Sequence, residues 1–424
     1  MISKVGPPRV PRGVSAALAA LHFREPNLAA LANLSDAEWR DALRFTDQSQ
    51  LTLPLRSVAR EAMPPWVQQR TDACAARNLE RLRRVEALYR ALDERLKAAG
   101  VDYLALKGLT QCLLFGASPG DRVQYDIDLY TPAECAYAAR DAVMAMGFTA
   151  LGTEPDRTSM ERISTDHLPA LIRQTGWEWR GDFFDPEIPI AVEIHFRFWN
   201  ERMERLRAPG VEEFWPRRVV REVAGVQMGA LCPEDALGFA SLHLLKHVVQ
   251  GSGRAFHIFE VARFLEIHAD DHDFWKRWRA LHAPELRRLE AAMFRLAQAW
   301  FGCRAGDLAE AEMAQLPATT RRWFNEFAWS PAEGNFHATK DELWLHLSLV
   351  DSPWDRWAVA RRRLFPISLP GPVDAVHIPD SELTWRRRQL KRARYLRHMS
   401  QRVAHHGRTL PSALWSGARW WLKP

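Results

Sequence analysis

The sequence predicts an α+β fold: a small mixed β-sheet core with helices, flanked by N-terminal and C-terminal helical regions. Three observations carry that prediction. Apolar residues recur at helical spacing before residue 100 and again after about residue 200. Between those stretches lie short alternating runs bounded by glycine and proline. No internal repeat is visible, so the 424 residues divide by composition, into a helical region 1–99, an αβ core 100–200, a helical region 201–350 and a basic Trp/Arg-rich segment 351–424.

The elements follow in order. Ser35 or Asp36 offers an N-cap to an amphipathic run through Trp39. Leu82, Val85, Tyr89, Leu92 and Leu96 form an apolar stripe on a helix that Gly100 closes with a left-handed cap. Val101 to Leu106 reads as a strand, Lys107-Gly108 as a turn, and Leu109 to Phe115 as a short helix ending at Gly116. Tyr125 to Tyr130 alternates as a strand, with Asp126 and Asp128 on one face. Thr131-Pro132-Ala133-Glu134 reads as a capping box opening a helix that ends at Gly147. Further strands are expected over Phe148 to Leu151, His167 to Ile172 and Ile190 to Phe198; Pro233 to Val248 and Ile258 to Ile267 are helical.

Composition excludes several classes. No apolar run approaches the roughly 18 residues that span a bilayer, and the N-terminal apolar stretch is cut short by Arg24 and Glu25, which argues against a secretion signal. Five scattered cysteines without a CxxC pair suit a reducing cytoplasm and neither a disulfide framework nor a zinc knuckle. The net charge of +6 is unevenly placed: the last 74 residues carry +10 and the rest −4. The basic character is therefore a property of the tail.

Asp126 and Asp128, two apart on a strand, send both carboxylates from one face. Such like charges repel unless a cation lies between them. Hard divalent ions such as Mg2+, or Mn2+ in its place, take one or two carboxylates together with substrate phosphates. Glu193, alternating onto the polar face of its strand with His195, is the candidate third carboxylate. The Lys107-Gly108 turn opens a helix about twenty residues earlier, where backbone N–H groups can hold phosphate. Plainer readings stand beside these: a solvated strand edge for the aspartates, pairing with Arg197 or Arg180 for Glu193, a surface turn for Lys107, and an ion pair with Asp121 or Asp126 for Arg122.

The runs LALKGLTQCLLFG, DRVQYDIDLYTP, the helix ending in MGF, and VEIHFRF resemble the uncharacterised nucleotidyltransferase family of the polymerase-beta-like superfamily. The resemblance implies magnesium-dependent transfer of a nucleotidyl group from an NTP. It matches Asp126 and Asp128 to the metal-binding pair, Glu193 to the third carboxylate, Gly108 to the glycine of the phosphate turn and Arg122 to the family arginine. The wider superfamily has Gly-Ser at the turn, where this chain has Lys107-Gly108-Leu109; Lys107 would replace the serine hydroxyl as a point charge. His195 suits the subfamily, either orienting Glu193 as a hydrogen-bonding neighbour or contacting the acceptor. The acceptor is open: a small molecule, a sugar or a protein side chain. The alternative is an inactive member that binds nucleotide or acts as an adaptor.

His243 and His247 are four apart on a helix, a zinc-compatible spacing, but without an acid between them or a third ligand they read as core or interhelical histidines. From Arg386 onward the tail has eleven basic residues and no acidic one, interleaved with Trp415, Trp420 and Trp421. That composition suits a helix packed on the body, peripheral attachment to the inner face of a membrane, or an acidic protein partner; nucleic acid fits it least.

Overall fold

Seven short strands build a mixed sheet in the computed structural model, which describes residues 7–151, 165–365 and 383–422. They are β1 (Leu104–Ala105), β2 (Asp126–Tyr130), β3 (Thr149–Ala150), β4 (Leu171–Ile172), β5 (Ala191–His195), β6 (Val219–Val223) and β7 (Val226–Ala230). The spatial order is β3-β4-β5-β2-β1-β7-β6. Central β2 runs parallel to β5 and antiparallel to β1. The α+β class and the helical flanks are as the sequence predicts.

Alternation explains the sheet's two faces. Ile127 and Leu129 on β2, with Val192 and Ile194 on β5, are buried against Val85, Tyr89, Leu92 and Leu96. Those four lie on the long helix Pro65–Ala98, which Gly100 follows at a φ of 65°. Burying each large aliphatic side chain there contributes roughly 1.5–3 kcal/mol. The opposite face of β2 and β5 carries the acids.

A second core joins the two ends of the chain. Val14, Leu18, Trp39 and Phe45 from the first helices pack with Leu237, Leu245, Phe294 and Trp323 from helices after residue 230. The N-terminal region thus contributes to both cores: its early helices to the second, its long last helix to the sheet.

Two local expectations need correction. The sheet does not stop near residue 200: β6 and β7 form a hairpin, and β7 adds to β1 in parallel. Thr131 does not cap a helix; its hydroxyl donates to the Asp102 carbonyl at 2.9 Å, and the helix Ala136–Met144 follows a 3-10 turn without a side-chain cap. By contrast, Ser35 and Glu38 form a complete capping box on the helix Asp36–Gln48.

The tail forms a helix, Trp385–Leu422. Its second half is docked: Trp420 is buried near Trp344, and the Ser416 hydroxyl donates to Asp341 at 2.6 Å. Lys423 lies outside the described residues. Among the described residues no helix is long and apolar enough to cross a membrane.

Candidate active site

Register brings the acids together. Parallel pairing sets Asp128 beside Glu193 and Tyr130 beside His195, at the roughly 4.8 Å spacing of neighbouring strands. His195 is the hub: its Nε2 lies 3.0 Å from Asp128 Oδ1 and 3.6 Å from Glu193 Oε2. Asp128, Glu193 and His195 each offer one ligand atom, all within 4.8 Å of one another. Asp126 shares their strand face but stands outside that cluster; its charge still acts on both Lys107 and Glu193.

The turn after β1 brings in Lys107. The Leu106 N–H donates to the Asp128 carbonyl at 2.9 Å, so the next residue is carried over the carboxylate face. The Lys107 ammonium reaches Asp128 Oδ2 at 3.2 Å and His243 Nε2 at 3.2 Å. Gly108 has a φ of +80°, and a Cβ there would fall 2.4 Å from the Gln124 side-chain nitrogen. Only glycine fits that turn without displacing Gln124.

Electrostatics within the cluster are strong because water is scarce. Burial opposes the charge on Lys107, but Asp128, Asp126 and Glu193 outweigh it and hold the ammonium above its usual range. Burial likewise disfavours imidazolium at His195, yet the hydrogen bond to Asp128 and the close Glu193 carboxylate push its pKa up to about 9. Glu193 is drawn down to about 2, its burial overcome by His195 and His167. Buried His195 Nδ1 has no hydrogen-bond partner among the described residues.

Arg122 is buried and donates from Nε to Glu260 at 2.9 Å, on the helix Ala255–Ile267. Its guanidinium also lies over the Phe256 ring at 5.5 Å. Its carboxylate partner is thus neither Asp121 nor Asp126. Burial raises the Glu260 pKa, but Arg122 and His257 more than offset this and bring it to about 2.

The helix Pro233–Gln250 closes the site from the other side. His243 and His247 approach each other at 3.2 Å between Nε2 atoms, and the His257 ring lies 4.8 Å from that of His243. Burial lowers all three, His247 to about 3; neighbouring cations add to it at His243 and His247, whereas at His257 it prevails over the raising pull of Glu260. Neutral His243 therefore accepts a hydrogen bond from Lys107. His243 and His247 are interhelical histidines, as their spacing suggested, but the contact of His243 with Lys107 was not legible. His167 was missed outright; bridged to His195, it places Nε2 3.8 Å from Glu193. Its only signal was its place on an expected strand.

The donor set fits a divalent ion. Asp128 and Glu193 supply hard oxygen atoms and Asp126 stands beside them, suiting Mg2+; His195 would add a nitrogen, which Mn2+ tolerates better, only where a bound cation displaces its Nε2 proton. No curated protein and no solved structure matches this chain. A family model described as uncharacterised nucleotidyltransferase matches residues 35–302, from the capped helix Asp36–Gln48 through the sheet and the histidine-bearing helices. That span exceeds half of the chain and contains every residue of the cluster, so the protein belongs to the uncharacterised nucleotidyltransferase family, with the general nucleotidyltransferase function that membership supports.

Proposed function

We propose that the protein transfers a nucleoside monophosphate from an NTP to an acceptor hydroxyl, using Mg2+ or Mn2+ held by Asp126, Asp128 and Glu193. The observation that carries the reading is the in-register pairing of Asp128 with Glu193 on the face that also bears Asp126. Asp128 is buried and Asp126 and Glu193 are half-buried on one face of two adjoining strands, an arrangement of like charges that a divalent cation would hold together. When bound, a divalent ion supplies charge neutralisation along the triphosphate and lowers the pKa of the acceptor hydroxyl.

The chain's own residues do the rest. Lys107 presents a fixed positive charge beside the carboxylates, where phosphate oxygens would lie, and Gly108 keeps the turn free of a side chain. Arg122, which the family resemblance matches to a phosphate-neutralising arginine, is held by Glu260 and would act on the triphosphate only through the charge that this pair leaves unbalanced. The acceptor oxygen forms a bond to the α-phosphorus as the bond to pyrophosphate breaks. Its proton passes to Asp128 or Glu193, with His195 orienting both carboxylates. The acceptor is a small molecule, a sugar or a protein side chain.

One observation favours a second reading. Lys107 and His195 together already neutralise Asp128, and the turn lacks the serine of the wider superfamily. A member that binds nucleotide, or serves as an adaptor, without turnover would show the same arrangement. Incubation of cell extract with α-labelled NTP decides between them. Label should move to an acceptor with wild type and fall at least ~100-fold with Asp128→Asn. Titration calorimetry showing NTP binding without any label transfer would favour the inactive reading.

A further inference from the structure

The C-terminal helix Trp385–Leu422 carries an order that nucleotidyl transfer does not use. Trp385, Leu396, Val403, Leu414 and Trp421 follow one another at alternating intervals of 11 and 7 residues. At 3.6 residues per turn these are close to three and two turns, so along an ideal helix the five side chains stack within about 20° of one line, Pro411 falling between Val403 and Leu414. All five are between 52% and 72% exposed. The edge that packs on the body is a different one, made by Thr409, Ala413, Gly417 and Trp420. Leu414 and Trp421 each directly follow a packed residue and so point about 100° away from it.

A second row runs alongside. Arg386, Arg397, Arg408 and Arg419 recur every 11 residues, Arg386 and Arg397 about 100° round from the apolar line and Arg408 and Arg419 about 120–160° round, on the side away from the packed edge. Over its whole length the helix holds ten Lys and Arg residues and no Asp or Glu. Arg387 lies 3.8 Å from Glu178 at the helix start, which is an exposed contact. Among the described residues nothing covers the apolar line.

We infer that this helix is a membrane-docking element that lies flat on an anionic lipid surface. The apolar line would enter the boundary between headgroups and acyl chains, and the neighbouring arginine row would meet the lipid phosphates and carboxylates. Charge complementarity selects this occupant. A second copy's helix would bring ten like charges against ten. A single nucleic-acid strand would want aromatic rings along the groove for base stacking. Here Trp385 and Trp421 stand at the two ends of the line, with Leu396, Val403 and Leu414 between them, and exposed Trp415 is a single ring in the arginine row. Tryptophan at the ends of an apolar line suits headgroup depth. The docked half of the helix would then hold the catalytic body at the membrane.

Co-sedimentation of the full chain with vesicles tests this. Phosphatidylcholine vesicles containing phosphatidylserine should pellet the protein at least ~10-fold better than phosphatidylcholine alone, and added salt should weaken the binding. Val403→Glu with Leu414→Glu, and separately Arg397→Glu with Arg408→Glu, should each abolish pelleting while circular dichroism stays unchanged. These positions are exposed, so folding does not depend on them. Three results would overturn the inference: no preference for anionic vesicles, pelleting that survives both pairs of substitutions, or wild type that sediments as a dimer without lipid and is made monomeric by Val403→Glu with Leu414→Glu. Tighter binding to an RNA oligonucleotide than to vesicles would overturn it as well.

Discussion

Lys107 and Gly108 are adjacent, yet they fail in different ways when changed. A Lys107→Met chain keeps the stem but loses the ammonium that pairs with Asp128, so the acids face a triphosphate with His195 as their remaining partner. NTP affinity should fall by about tenfold or more, read by calorimetry with Mg2+ present, since opposing charge at this distance is worth over ~1 kcal/mol even at high dielectric. Unaltered affinity would remove Lys107 from the phosphate site. Gly108→Ala acts through the backbone instead. The new Cβ would need a φ of +80° and would press on the Gln124 amide. That amide cannot simply swing aside, because its nitrogen donates to the Tyr89 hydroxyl and to the Asp126 carbonyl. A loss of ~1–3 kcal/mol in denaturant unfolding is expected, with a reshaped turn as well.

At the scale of elements, helix starts and the central strands could be read locally, while long-range partners could not. The Ser35 and Glu38 reciprocal cap was legible because both partners lie within one turn. The same four-residue pattern at Thr131 misled, since the Thr131 hydroxyl is turned to donate to the Asp102 carbonyl ahead of neighbouring β1 and the helix begins only at Ala136. The hairpin of β6 and β7 was missed because Ala224 takes a φ of 52° ahead of Gly225, a position where Asn or Asp would have announced the turn. Asp126, Asp128 and Glu193 were visible through strand alternation, but the approach of His243 to Lys107 spans 136 residues and left no local trace. Helix packing offers its own pH-dependent element. Buried His282, after the helix His272–Leu281, bonds Asp235 at 3.1 Å and Glu290 at 2.9 Å. Burial opposes its charge, yet Glu290 and Asp235 push its pKa up to about 9 from an ordinary 6.5. Its folded-state pKa is raised, so its contribution is fully present below pH 6.5 and fades as pH rises through about 9. Denaturant midpoints should therefore drop across that window. Because His195 is raised over the same window, His282→Leu should reduce the slope of this part of the profile by about half and cost ~3–5 kcal/mol near neutral pH, by leaving buried carboxylates without their partner. A profile that keeps its slope in His282→Leu would show that another group is responsible.

Across the whole molecule, the candidate site lies where the sheet meets the helices that follow it. Lys107 to His243 and Arg122 to Glu260 both cross that seam, and Phe115 meets Phe264 beside them at 4.8 Å between ring centres. Clefts at such junctions are common places for ligands, because side chains of opposite character converge there from separately folded layers. The Arg122 to Glu260 pair is the most deeply buried ionic tie across it, with side-chain exposures of 7% and 11%. Removing one partner strands the other charge in a poorly solvated position. Glu260→Ala should therefore destabilise the protein by ~3–5 kcal/mol, whereas Arg122→Met with Glu260→Leu should recover much of that loss, since neither charge then remains to be desolvated. The comparison also separates stability from function. If Arg122 contributes positive potential to the phosphate turn, the double variant should regain its unfolding midpoint but still bind NTP more weakly than wild type, as read by calorimetry. Recovery of both stability and NTP affinity would make the pair a purely structural tie, with Lys107 left as the cationic side chain that meets the triphosphate.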